Sequence, residues 1–340
     1  MVPGHQSDPW LKLLYGWYSP QTTVLSPMMR GLAARLARRA PTAAISTMRR
    51  RAASTAPEVL ERCSSCYIPT SWMALPLKAR QEHNHDTTAY TFALPEGQSL
   101  ELPVCACILL KAPGQGRKEG GDKDDYDGSD AVRPYTPVSD NLLLGGFELL
   151  VKRYDGGAVS QYLHSLDIGA TVEFRHIPFN IKAQYPFEGK KTFTLLCAGT
   201  GVAPMVQVLH KLLGSKGDER KVTLICGNRS PQDILMKDQL DAWAARHPDR
   251  LRIVHVIGDR PDAEPSAEWV DTGTYTAEAG WIDEAKVRHH AFAPAEDTLV
   301  FVCGLPSMYE QLCGPRNEAE LAQGSVLARL GYTKDMVAKM

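Results

Sequence analysis

The second half of this chain alternates apolar strands with helical periods, and that alternation admits few folds. Residues 192–198 read as an apolar strand, followed by a helical period over 203–213. A second strand is expected over 222–226 with a helix over about 233–246. A third strand follows over 251–257, and a fourth over 298–303 leads into a helix from Ser307. Apolar strands separated by helices build βαβ units around a parallel sheet. From about 66 to 180 the rhythm differs. Short strands are expected over 88–94, 104–110, 131–138, 146–154 and 170–175, and the Gly/Lys/Asp-rich stretch 113–130 reads as a mobile loop. Regularly spaced short strands suggest a small antiparallel barrel. The expected fold class is two-domain β plus α/β: an antiparallel β-barrel domain over 58–186, then a parallel-sheet α/β domain over 187–340, with the linker near 184–189.

Charge separates off the N-terminus. Residues 1–57 hold Lys12 and seven arginines against one acid, Asp8, so the body from 58 to 340 nets −8 in a chain that nets −1. An acidic body argues against nucleic acid as a partner. Residues 28–56 are rich in Arg, Ala, Ser and Thr, lack any acid, and can form a basic amphipathic helix around Leu32 and Leu36. That composition matches an organellar targeting segment, with a disordered basic tail as the alternative. The expected location is the mitochondrion, with the plastid as the alternative. No run of 18 apolar residues suggests a transmembrane helix. The eight cysteines are scattered; Cys63-Ser-Ser-Cys66 has no second pair at zinc spacing, and no metal site is expected.

Four short motifs carry chemistry. In Arg133-Pro-Tyr-Thr136 the guanidinium suits a pyrophosphate. Tyr135, two residues on, points to the same side and can lie against a flat ring; the Thr136 hydroxyl can bond a ring nitrogen. A strand edge with an exposed arginine remains the other reading. Gly157-Ala-Val-Ser160 precedes a helix whose free N–H groups would attract phosphate, although Ser160 could be a simple N-cap. Ala198-Gly-Thr-Gly-Val-Ala-Pro204 joins a strand to a helix, where Gly199 and Gly201 permit tight turning and close ligand approach. The site is the carboxyl end of a parallel strand, where such sheets bind nucleotides. Cys303-Gly-Leu-Pro-Ser-Met308 ends the last strand on the same edge; its thiol can pack against a ligand ring, or be structural. Asp259 follows the third strand and could bind a ribose 2′-hydroxyl, or cap a turn. Alternation along an extended chain would point Asp259 inward and Arg260 outward, which favours NADH over NADPH. Together these motifs suit a chain that holds a flavin in one domain and a nicotinamide in the next.

On those residues the chain resembles the NADH–cytochrome b5 reductase family, within the ferredoxin reductase-like flavoproteins. Phe174-Arg-His-Ile-Pro-Phe-Asn-Ile-Lys182 and Gln184-Tyr-Pro-Phe187 are similar to its mitochondrial branch. Asn228-Arg-Ser-Pro-Gln-Asp-Ile-Leu235 and Leu330-Gly-Tyr-Thr-Lys-Asp-Met-Val337 extend the similarity over most of the body. The resemblance implies an FAD-binding barrel and an NAD-binding α/β domain, with FAD and NADH as cofactors. It implies that Arg133, Pro134, Tyr135, Thr136, Val151, Tyr154, Gly157, Ala158, Val159 and Ser160 surround FAD, and that Lys152 lies near where the nicotinamide docks. Gly199, Thr200, Gly201, Asp259, Cys303, Gly304, Pro306 and Met308 would receive NADH. Thr136, Lys152 and Cys303 would lie nearest the reacting rings. Cytochrome b5 or a similar haem protein would be the acceptor, and the chain would act as a monomer. Ferredoxin, a quinone or nitrate as acceptor is the alternative, and a flavin-less binding protein a more distant one. The sequence departs from the family at Leu305, usually proline, and at Val104-Cys-Ala-Cys107, usually Val-Gly-Gln-His.

Overall fold

The computed structural model describes residues 66–118, 126–178, 182–258 and 275–340. Asp259, Arg260 and the N-terminal segment lie outside these residues. The first lobe is a curled antiparallel sheet of six strands in the order β4-β3-β6-β1-β2-β5. The strands are β1 (Met73–Glu82), β2 (Thr87–Ala93), β3 (Ile108–Ala112), β4 (Ala131–Tyr135), β5 (Gly146–Lys152) and β6 (Thr171–His176). Inward residues alternate along them. Phe92, Phe147 and Phe174 meet at the centre with ring centroids 4.7–5.6 Å apart. Helix α1 (Ala158–Ser165) buries Ala158, Val159 and Leu163 against β3 and β4.

The second lobe is a parallel sheet in the order β10-β9-β8-β7-β11-β12. Its strands are β7 (Thr192–Ala198), β8 (Lys221–Asn228), β9 (Leu251–Ile257), β10 (Thr276–Ala279), β11 (Thr298–Cys303) and β12 (Val337–Lys339). Helices α2 (Val202–Gly214), α3 (Lys237–Arg246), α4 (Glu284–His290), α5 (Pro306–Leu312) and α6 (Val326–Arg329) accompany them. The chain steps from β7 outward through β8, β9 and β10, then returns to place β11 on the other flank of β7. Strand order therefore reverses between β7 and β11, and a crevice opens beyond the carboxyl ends of strands at such a point.

Three expectations need correction. The expected strand over 104–110 begins only at Ile108, because Cys105 takes a left-handed φ of 62° and Ala106 N–H turns back to the Pro103 carbonyl. The expected helix from 233 begins at Lys237. A capping box between Ser230 and Asp233 closes a single tight turn over Pro231–Asp233, and Met236 then adopts φ 58°. The helix after Gly157 starts at Ala158, so Ser160 lies inside its first turn and Gly157 is the cap. Strand β1 has no counterpart in the sequence reading. Pro76 lies within it, its register shifts between Leu77 and Ala79, and along its length only Leu75 and Leu77 are buried.

Candidate functional site

On the barrel, β3 and β4 pair so that Leu110 faces Arg133 and Ile108 faces Tyr135. Arg133 and Tyr135 thereby share one face. Arg133 is exposed, with Nη1 donating to the Val132 carbonyl at 2.8 Å. Pro134 is exposed; Tyr135 and Thr136 are half-buried. Burial pushes the Tyr135 hydroxyl pKa up, against the pull of Arg133. Beside β4 lies the start of α1. A Cβ on Gly157 would meet Ser160 Oγ at 2.2 Å and Tyr154 Cβ and carbonyl at 3.2 Å, so a side chain there would have to displace the Ser160 hydroxyl. Ser160 Oγ accepts from Tyr154 N at 3.3 Å and donates to the Gly157 carbonyl at 3.1 Å, which ties the turn together. The N–H groups of Ala158, Val159 and Ser160 in this first turn have no carbonyl to bond within the helix. An exposed arginine next to a glycine-led helix start is a fitting cradle for a diphosphate. Val151, Ala158 and Val159 point their side chains into the barrel core, so they offer a ligand only backbone. Tyr154 stands exposed at the rim.

On the parallel sheet, Gly199–Gly201 forms a tight turn at the end of β7, where Gly199 has φ 52°. Cys303 is in register with Cys197 across β11 and β7. A Cβ on Gly201 would lie 2.2 Å from the Cys303 carbonyl oxygen. The two strand ends thus pack backbone against backbone and leave a crevice floor without side chains. Gly304 is nearly as confined, but there a Cβ would meet the Met308 sulfur at 2.5 Å. Thr200 and Cys303 are half-buried at this floor, and Pro306 opens α5 beyond it. Burial pushes the Cys303 thiol up, so it is not a thiolate at neutral pH. Strand β5, which carries Val151 and Lys152, touches the Gly199–Gly201 turn. The Gly199 and Cys303 motifs thus meet across β7 and β11, and the barrel reaches them through β5. The chemistry of the set, with cationic and amide donors on one side and a bare glycine floor on the other, fits a flavin dinucleotide facing a nicotinamide dinucleotide.

Lys152, at the end of β5 beside that turn, is half-buried and engaged by one acid from each lobe. Its ammonium lies 2.6 Å from Asp86 Oδ2 and 3.7 Å from Asp233 Oδ1. Neither acid was singled out from the sequence. Asp233 stood inside a quoted motif, but nothing in a linear chain pairs it with Asp86. Asp259 lies outside the described residues.

Two family models match. The description "Oxidoreductase FAD-binding domain" covers residues 74–176, and "Oxidoreductase NAD-binding domain" covers 195–314. NADH-cytochrome b5 reductase 2 of Saccharomyces cerevisiae (strain YJM789) is 34% identical over 273 residues, spanning 79% of this chain and 82% of that protein. The NADH-cytochrome b5 reductase-like protein of Arabidopsis thaliana is 33% identical over 274 residues, spanning 80% and 77%. Among solved structures, the cytochrome b5 reductase domain of Ulva prolifera nitrate reductase superposes with a TM-score of 0.60 at 28% identity, covering 71% of this chain and 90% of that one. With both lobes matched and both chains covered to this extent, the protein belongs to the NADH-cytochrome b5 reductase family.

Proposed function

We propose that the protein oxidises NADH through FAD and delivers the electrons to cytochrome b5 or a similar haem protein. The observation that carries this reading is the meeting of β5 with the Gly199–Gly201 turn at the point where the parallel strand order reverses. When bound, FAD accepts a hydride and releases electrons singly; the protein supplies position and electrostatics. Arg133 and the first turn of α1 would hold the flavin pyrophosphate, Tyr135 would pack against the flavin, and the Thr136 hydroxyl would hydrogen-bond to it. Gly199, Thr200 and Gly201 admit the nicotinamide dinucleotide to close range. Cys303, with its proton retained, would exclude water from the nicotinamide, while Gly304, Pro306 and Met308 support that strand end, and Lys152 would lie close to both cofactors. Residues 58–186 and 187–340 serve as the FAD and NAD domains of a monomer, and residues 28–56 direct import into the mitochondrion.

The test is spectroscopic. Purified protein should be yellow, and NADH should bleach it in the absence of oxygen. Reduction of cytochrome b5 should then outpace reduction of ferredoxin, a quinone or nitrate. A colourless protein, or a yellow one indifferent to NADH, overturns the reading; rapid turnover with another acceptor alone reassigns the partner.

A further inference from the structure

The turn between β1 and β2 reaches across to the parallel-sheet lobe and grips the segment that leads into α3. His83 Nε2 accepts from the Met236 N–H at 2.9 Å, which explains how Met236 is held in its left-handed conformation. Asn84 Nδ2 donates to the Gln232 carbonyl at 3.1 Å. Between these contacts and β5 sits a charged group. Asp86 comes from the barrel and Asp233 from the parallel-sheet lobe, and Lys152 Nζ lies between them.

The two carboxylates are themselves held. Asp233 Oδ2 accepts from Ser230 N at 3.1 Å and from Ser230 Oγ at 2.6 Å, and Arg229 Nε lies 3.4 Å away. Oδ1 of the same carboxylate is buried without a hydrogen bond and faces Lys152 and His85 Nε2, each at 3.7 Å. Asp86 accepts from the Thr87 hydroxyl through Oδ1 at 2.9 Å and leaves Oδ2 for the ammonium. Burial pushes the Asp86 pKa up, but the Lys152 hydrogen bond and charge hold it below the usual carboxylate value, so the pair is ionised. His85, Asp86 and Asp233 present ligand atoms within 4.8 Å of one another, the spacing of a cation site, and the cation already between the carboxylates is the lysine.

We propose that Asp86 and Asp233, one from each lobe, are a positioning pair. They fix the Lys152 ammonium at the crevice and lock the two lobes at the separation that hydride transfer requires. This inference rests on the function proposed above. Two anchored carboxylates restrict a long, flexible side chain to one place, and reaction rates are steep in such placement. A lysine tethered on one side only would swing and let the lobes part.

A double-mutant cycle tests it. Asp86→Asn and Asp233→Asn keep shape and one acceptor oxygen each while removing charge. Asp86→Asn should lower kcat/KM for NADH by about tenfold, the size expected when a charged hydrogen bond is lost, and Asp233→Asn, which removes a charge 3.7 Å away, by about threefold, with flavin content unchanged in both. In a Lys152→Met background the same changes should cost less than about twofold, because carboxylates that act through the lysine lose their effect once it is gone. The same cycle read by urea unfolding of the flavin-free protein should also be non-additive. Additive losses in kcat/KM overturn the proposal, as does wild-type kinetics in both aspartate variants. Coupling in unfolding with additive kinetics leaves a purely structural clasp and overturns the positioning role. If NADH fails to reduce the wild-type flavin, the proposed function falls, and the unfolding cycle alone still decides whether the carboxylates act through Lys152.

Discussion

At the scale of single residues, the site depends on groups with little freedom to change. Arg133 has only its neighbour's carbonyl as a partner in the described contacts, so its guanidinium is available for a diphosphate. Arg133→Ala should weaken FAD binding by about 1.5–3 kcal/mol, measurable by titrating flavin-free protein; an unchanged affinity would remove the motif from the site. Gly201 is constrained by distance rather than by its φ of −61°. An added methyl would strike the Cys303 carbonyl at 2.2 Å, and backbone at both ends cannot yield. Gly304 would strike only the flexible end of Met308. Gly201→Ala should therefore destabilise by about 1–3 kcal/mol, the usual cost of overpacking, and Gly304→Ala by less. Chemical denaturation orders the two variants, and equal values would show that the turn can relax.

Elements were legible in the sequence where burial is uniform. Strands β7, β9 and β11 are almost continuous apolar runs, and the sequence assigns each its observed limits. Strand β1 was illegible because most of its residues face solvent and a proline sits within it. The four motifs and the lobes that carry them could also be read, since each is local. The carboxylate pair around Lys152 could not, because it exists only after two distant turns meet. One of those turns has a consequence for pH. Burial lowers the His83 pKa below its usual 6.5, although Asp238 pulls the other way. Only the neutral ring accepts from Met236 N–H, so the folded state favours the unprotonated form. The contribution is complete above about pH 6.5 and disappears as pH falls through the lowered value. Unfolding free energy should accordingly drop less between pH 7 and pH 5 in His83→Gln, which still accepts but does not titrate in that range. Parallel pH profiles of the two proteins would assign the loss elsewhere.

Taken as a whole, the body is acidic, yet the proposed acceptor must find it by charge. The nearby basic groups are partly committed. Lys190 donates to the Glu296 and Thr298 carbonyls, Lys191 lies 3.5 Å from Asp297, and Arg153 Nη1 is 2.8 Å from His164 Nε2. Docking must rely on a local patch rather than net charge, and cytochrome reduction should slow as ionic strength rises while flavin reduction by NADH changes less. Stopped-flow measurement of both steps checks this; a flat acceptor rate removes the electrostatic component. The lobes themselves meet differently. Gln207, buried on α2, donates to the Pro137 and Ser139 carbonyls at 2.6 and 2.8 Å and accepts from Asn141 at 2.6 Å. His210 bonds the Val138 carbonyl, Cys105 the Pro204 carbonyl, and Asn84 the Gln232 carbonyl. Apart from the Asn141–Gln207 amide pair and the Lys152–Asp233 ion pair, each of these contacts has a side chain on one lobe addressing main chain on the other, and every residue presents a main-chain carbonyl. Most of the seam is therefore written in a script common to all sequences. Evolution can redraft much of either lobe's surface while the joint survives, and a hybrid enzyme that grafts a relative's nucleotide lobe onto this barrel should assemble, provided Gln207, His210 and Asp233 travel with it.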